Sequence, residues 1–260
     1  MKRVITFTFA ILFILALSAS AHAQCWSATA GPDSSLTSDV RPSAGKPYEA
    51  MLLEFEPTLQ KALSVSSKVY MTEATVVRSE PRDGNVYFGR RFFNTLDERY
   101  KNKAALELLK GDVVPIGLKL ILAHEYAHQF QFRMFKKRNI ALTSPTPAVE
   151  LQADMLASYV LGSLLDAQYS NLPQQEKVQQ VLHDSSGAMM VVAELGDEFF
   201  NDANHHGDPT SRRTVMTQGF EAGWVNKFGP PATAKEDELY DWSLKVAEQT
   251  AKNQHNGRVF

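Results

Sequence analysis

Residues 113–138 read VVPIGLKLILAHEYAHQFQFRMFKKR, and this stretch decides the fold. Apolar residues crowd its first half: Ile116, Leu118, Leu120, Ile121 and Leu122. Asp112 stands where a helix cap belongs, and Pro115 suits a first helical turn. Lys136, Lys137 and Arg138 set cations at the far end, where they complement the helix dipole. The expectation is a helix of about 24 residues and roughly 36 Å, long enough to cross a whole domain.

His124-Glu125-Tyr126-Ala127-His128 lies inside that apolar helix. Histidines four apart project from one helix face, so both rings can reach one Zn²⁺ at about 2.0–2.1 Å. Glu125 is displaced round the helix from that pair. It is placed to act on a water as general base rather than to serve as an equal ligand. Burying two histidines and a glutamate among leucines would be costly without partners, and a metal answers that cost for all three together.

A third ligand is expected, since a catalytic zinc keeps three protein ligands and one open position. Glu150-Leu151-Gln152-Ala153-Asp154 begins 22 residues beyond His128, and its two acids are again four apart. Glu150 is the expected ligand, with Asp154 receiving a histidine N–H and fixing that ring. The spacing also admits the reverse assignment. Cys25 is the one cysteine, so any metal site must use histidine and carboxylate, and no internal disulfide can form.

Outward from this centre, Tyr48 to Ser66 has helical spacing with Pro57 as a kink or break, and Val69 to Arg78 is Val- and Thr-rich like a strand. The turn signal Asp83-Gly84 leads into a second strand, Asn85 to Gly89. Val86 to Phe88 is either a core strand or an edge strand able to pair with an extended peptide. Helices are expected at 96–110, 148–169, 174–200, 211–228 and 235–253, with a loop over Asn201 to Pro209.

The N-terminus reads as a secretory signal over residues 1–23. Lys2 and Arg3 form the basic region, Val4 to Leu17 the apolar run, and Ala21-His22-Ala23 the cleavage pattern. The run is shorter than the roughly 20 residues a transmembrane helix needs, so no anchor is expected after cleavage. Gln24 before Cys25 departs from the small residue that precedes a lipid-modified cysteine. Residues 24–47 read as a flexible leader, and 48–260 as one domain. Without Lys2 and Arg3 the balance is 25 basic to 29 acidic residues. That mildly acidic chain has no basic stripe for nucleic acid.

Three blocks together resemble a known family: Leu122-Ala123-His124-Glu125-Tyr126-Ala127-His128-Gln129, then Glu150 to Asp154, then Leu195-Gly196-Asp197-Glu198 with His206-Gly207 and Arg212. Their order is similar to that of gluzincin-type zincins and, more narrowly, of the bacterial neutral zinc metallopeptidase family, over about residues 85 to 225. The resemblance implies an α+β, mainly helical zincin-like metallopeptidase domain with a small sheet. It also implies Zn²⁺ on His124, His128 and Glu150, Glu125 as the base, and a peptide or protein substrate. His206, with Arg212, would steady the oxyanion formed as water attacks the carbonyl. The expected protein is an exported zinc peptidase, periplasmic or secreted. The alternative is an exported metal-binding or scaffold protein that keeps the fold without cleaving peptides.

Overall fold

The computed structural model describes residues 40–74, 77–94, 113–141, 146–193, 208–225, 229–230 and 235–255. The signal segment, most of the leader, the helix expected at 96–110, Asp112, Asp197, Glu198 and His206 lie outside these residues. Among the described residues the order is α1 (Pro47–Leu63), β1 (Val69–Thr72), β2 (Val77–Glu80), β3 (Asn85–Gly89), α2 (Val113–Lys137), α3 (Pro147–Gln168), α4 (Gln174–Ala193), α5 (Pro209–Val225) and α6 (Glu236–His255). The architecture is mainly helical with one small sheet. No helix of the described residues is long and apolar enough to cross a membrane.

Helix α2 is the axis around which the rest is arranged. Residues 120–131 are buried without interruption, so the helix has no solvent face along its middle three turns. Strands β2 and β3 and helices α1, α3, α4 and α6 all pack on it. Leu118, Leu120, Leu122, Tyr126 and Phe130 merge there with Leu52 and Leu59 of α1, Val86 and Phe88 of β3, and Leu156 of α3 into one core. The cations at its end do more than complement the dipole. Arg133 pairs with Glu236 at 2.7 Å, and Arg138 pairs with Asp237 at 3.0 Å, clamping α6 alongside.

The sheet order is β1-β3-β2, with β1 parallel and β2 antiparallel to β3. One expectation is corrected here, and one pair of alternatives is decided. The single strand expected from Val69 to Arg78 is two strands on opposite sides of β3. Thr72 Oγ1 accepts from the Ala74 N–H at 3.3 Å, a local side-chain bond that ends β1. Val86 to Phe88 is the central strand, not an edge, because β1 and β2 occupy both of its sides. Gly84 sits at φ 73°, the left-handed conformation that lets the β2–β3 turn close. Pro57 does not break α1, which runs as one element to Leu63.

Helix α3 starts on Thr146, whose side chain accepts from the Val149 N–H at 3.4 Å, followed by Pro147 in the first turn. Helix α5 starts the same way. Asp208 Oδ1 accepts from the N–H groups of Thr210 and Ser211 at 2.9 and 3.1 Å. The two helices lie almost backbone to backbone. A Cβ on Gly219 would stand 2.2 Å from the Met155 carbonyl oxygen, and one on Gly223 would stand 2.0 Å from that of Tyr159. That close approach brings Arg212, in the first turns of α5, against α3.

Candidate metal centre

His124 and His128 leave α2 one turn apart, and Glu150 reaches them from the start of α3. Their donor atoms form a small triangle. The two Nε2 atoms are 3.1 Å apart, and Glu150 Oε2 is 3.4 Å from each. Ligand atoms on a tetrahedral zinc, with bonds of about 2.0–2.1 Å, stand roughly 3.3 Å from one another. The triangle therefore has the size the ion needs, and the three residues form a buried group able to hold a metal.

Each imidazole is oriented from behind. His124 Nδ1 lies 2.8 Å from Asp154 Oδ1, and His128 Nδ1 lies 2.7 Å from Gln131 Oε1. Both acceptors lack a proton of their own to give, so each ring carries its proton on Nδ1. That tautomer leaves both Nε2 lone pairs directed at the triangle. The spacing alone had left Glu150 and Asp154 interchangeable. The structure separates them: Glu150 faces both Nε2 atoms, whereas Asp154 meets only the far side of His124.

Arg212 donates to both oxygens of Asp154, Nε to Oδ2 at 2.6 Å and Nη2 to Oδ1 at 2.7 Å. Burial works against the Asp154 charge, but Arg212 and then His124 outweigh it and hold the carboxyl below its usual range. Asp154 is thus an anion behind His124. Burial likewise opposes a charged His124, yet Asp154 and Glu150 prevail and pull it up to about 10. A cation on Nε2 would take the place of that proton.

Glu125 stands beside the triangle, buried to 1% exposure. Its Oε2 makes no hydrogen bond among the described residues. Burial pushes its pKa up, while His128 and His124 restrain the rise. Ser79 of β2 donates to the Glu125 backbone carbonyl at 2.5 Å, tying the helix to the sheet at that residue.

Of the residues singled out from the sequence, His124, His128, Glu150 and Asp154 meet as one cluster with Glu125 beside it, and His206 lies outside the described residues. Arg212, expected at the oxyanion, has two guanidinium nitrogens engaged by Asp154. Its place is behind His124, on the opposite side of the ring from Nε2. Gln131 went unremarked in the sequence. Its signal was its position three residues beyond His128, on the same helix face. Among family models, curated proteins and solved structures, none matches this chain.

Proposed function

We propose that the protein is an exported zinc-dependent peptidase of the gluzincin type, with His124, His128 and Glu150 as metal ligands and Glu125 as general base. The observation that carries this reading is the donor triangle, sized for a tetrahedral ion and formed by lone pairs whose protons are committed elsewhere. Two imidazoles and one carboxylate suit Zn²⁺ among the available cations. Zinc held there would supply Lewis acidity to an attacking water and to the substrate carbonyl.

The remaining work falls to the chain itself. Glu125 Oε2, with its pKa raised by burial, accepts the proton of the attacking water and delivers it to the departing amine. Asp154, fixed by Arg212, keeps His124 in the ligating tautomer. His206 remains the proposed oxyanion partner. Export rests on the signal over residues 1–23. N-terminal sequencing of the secreted chain should begin at Gln24.

One observation favours a second reading. His124, Glu125, His128 and Glu150 are all at or below 4% exposure, so a peptide reaches Glu125 only if the site opens. A protein that binds zinc and never opens would be the metal-binding scaffold. Glu125→Gln decides between them. The peptidase reading predicts unchanged zinc content and loss of casein hydrolysis. Wild-type protein that holds zinc but cleaves no member of a broad peptide panel would establish the scaffold instead.

A further inference from the structure

The hydrogen bond that orients His128 does not stop at Gln131. Gln131 Nε2 lies 2.8 Å from the Val149 carbonyl and 2.9 Å from Gln152 Oε1. Gln152 Nε2 in turn lies 3.0 Å from the Tyr240 carbonyl and 2.9 Å from Ser243 Oγ, both on α6. His128, Gln131, Gln152 and Ser243 are all 0% exposed, so no water competes for these bonds.

The direction of every bond in this chain follows from its ends. A backbone carbonyl can only accept, so Gln152 must turn its amide nitrogen to Tyr240 and its oxygen to Gln131. Gln131 must then present its nitrogen to Gln152 and Val149, which leaves its oxygen for His128. Only a protonated Nδ1 can meet that oxygen. The Val149 carbonyl of α3 fixes Gln131 in this sense by itself, and the Tyr240 carbonyl of α6, acting through Gln152, fixes it in the same sense from the other end. Both thereby hold the tautomer of a metal ligand on α2.

We propose that Gln131 and Gln152 are positioning residues that link the seating of α6 to metal occupancy at His128. This rests on the metal centre proposed above, and it adds a partner that contributes no ligand. With α6 in place, the relay is complete and His128 Nε2 is presented to the metal. With α6 displaced, Gln152 is free to turn its nitrogen toward Gln131, which then keeps the Val149 carbonyl but loses its second acceptor and half of what holds its oxygen against Nδ1. Because linkage is reciprocal, zinc must hold α6 down as much as α6 favours zinc.

The test uses the full mature chain and zinc alone. Zinc affinity is measured by chelator competition for wild type, Gln131→Leu and Gln131→Glu, and hydrogen exchange of residues 236–250 is followed with and without zinc. Gln131→Leu removes the acceptor at Nδ1 and should weaken zinc binding about 10–100-fold. Gln131→Glu keeps an acceptor for His128 but sets an oxygen against Gln152 and Val149. It should hold affinity within a few-fold of wild type while abolishing the effect of zinc on α6. In wild type, zinc should slow exchange in α6 more than in α1, whose polar links to α2 run through Tyr126 and Arg133 and no metal ligand. Equal slowing of α1 and α6, or wild-type affinity in Gln131→Leu, would overturn the relay. Should Gln131→Leu fail to fold, wild type and Gln131→Glu still decide by exchange. Wild type that binds zinc with these arms negative removes only the relay, whereas wild type that binds none removes the metal centre as well.

Discussion

Tyr126 and His128 leave α2 two residues apart, yet the buried polar groups they meet are arranged in opposite senses. On the Tyr126 side, Glu56 of α1 gathers donors. Its carboxylate accepts from both terminal nitrogens of Arg41, from the Val69 N–H at 2.8 Å and from the Tyr126 hydroxyl at 3.1 Å. That hydroxyl also lies 2.9 Å from the Ser67 carbonyl. Protons point inward and the cluster is closed by the protein's own groups. On the His128 side the Nδ1 protons point outward, to Asp154 and Gln131, and acceptors face one another across 3.1–3.4 Å. Only a proton or a cation among them makes that arrangement favourable. Burying polar groups costs both clusters similarly. The first meets the cost internally and is structural, whereas the second requires something added.

The comparison can be broken most forcefully at Arg212. Its pairing with Asp154 is fully buried, so Arg212→Ala should cost about 3–5 kcal/mol of stability and, through His124, weaken zinc about 10–100-fold. Denaturant unfolding of the metal-free protein beside a zinc titration checks both effects. A loss of stability with unchanged zinc affinity would detach Asp154 from the metal site.

Paired substitutions on the two sides should then diverge. Glu56→Ala strands the Val69 N–H, at about 1–3 kcal/mol for that donor, and takes the carboxylate from Arg41, while the Tyr126 hydroxyl keeps the Ser67 carbonyl; zinc affinity should be unaltered. Glu150→Ala removes a ligand, so zinc binding should be lost, and it takes from the metal-free protein a carboxylate that favours the protonated His124 ring. Zinc titration separates the two, and zinc lost in Glu56→Ala or kept in Glu150→Ala would erase the distinction between them.

The smallest effect concerns acid and the closed side of the molecule. Glu49 of α1 is buried, bonded by Arg90 at 2.8 Å and by the Ser43 N–H at 2.8 Å. Burial alone would raise its pKa, but Arg90, Ser43 and Lys46 outweigh it and hold the carboxyl below the usual range. A carboxyl depressed on folding contributes stability above its unfolded pKa, and that contribution is lost as pH falls through the folded value. The melting temperature of Glu49→Gln should therefore start lower at pH 7 and fall less than wild type's toward pH 3. Parallel curves would show that Glu49 adds no acid-sensitive stability.

His124, Glu125, His128, Glu150 and Asp154 were legible in the sequence because their chemistry rides on helical periodicity. Four-residue spacing fixes a shared face whatever the tertiary structure. The helices were legible for the same reason, although the Thr146 cap and Pro147 that start α3 were not read as its beginning. What depends on tertiary placement was not. Whether β3 lies at the centre or edge of a sheet is decided by where β1 and β2 return, and Val and Thr content says nothing of that. Arg212 is 58 residues from Asp154, and the close packing of α3 on α5, which Gly219 and Gly223 permit, brings them together. Gln131 and Gln152 look like ordinary helix residues until the Tyr240 carbonyl is set opposite them.

The most direct measurement is the zinc content of the purified chain after equilibration with zinc and removal of the excess, for wild type, Glu56→Ala and Glu150→Ala. The donor triangle predicts about one zinc per chain in wild type and in Glu56→Ala, and its loss in Glu150→Ala. Wild-type protein without zinc, or Glu150→Ala with a full complement, would contradict a metal centre on His124, His128 and Glu150.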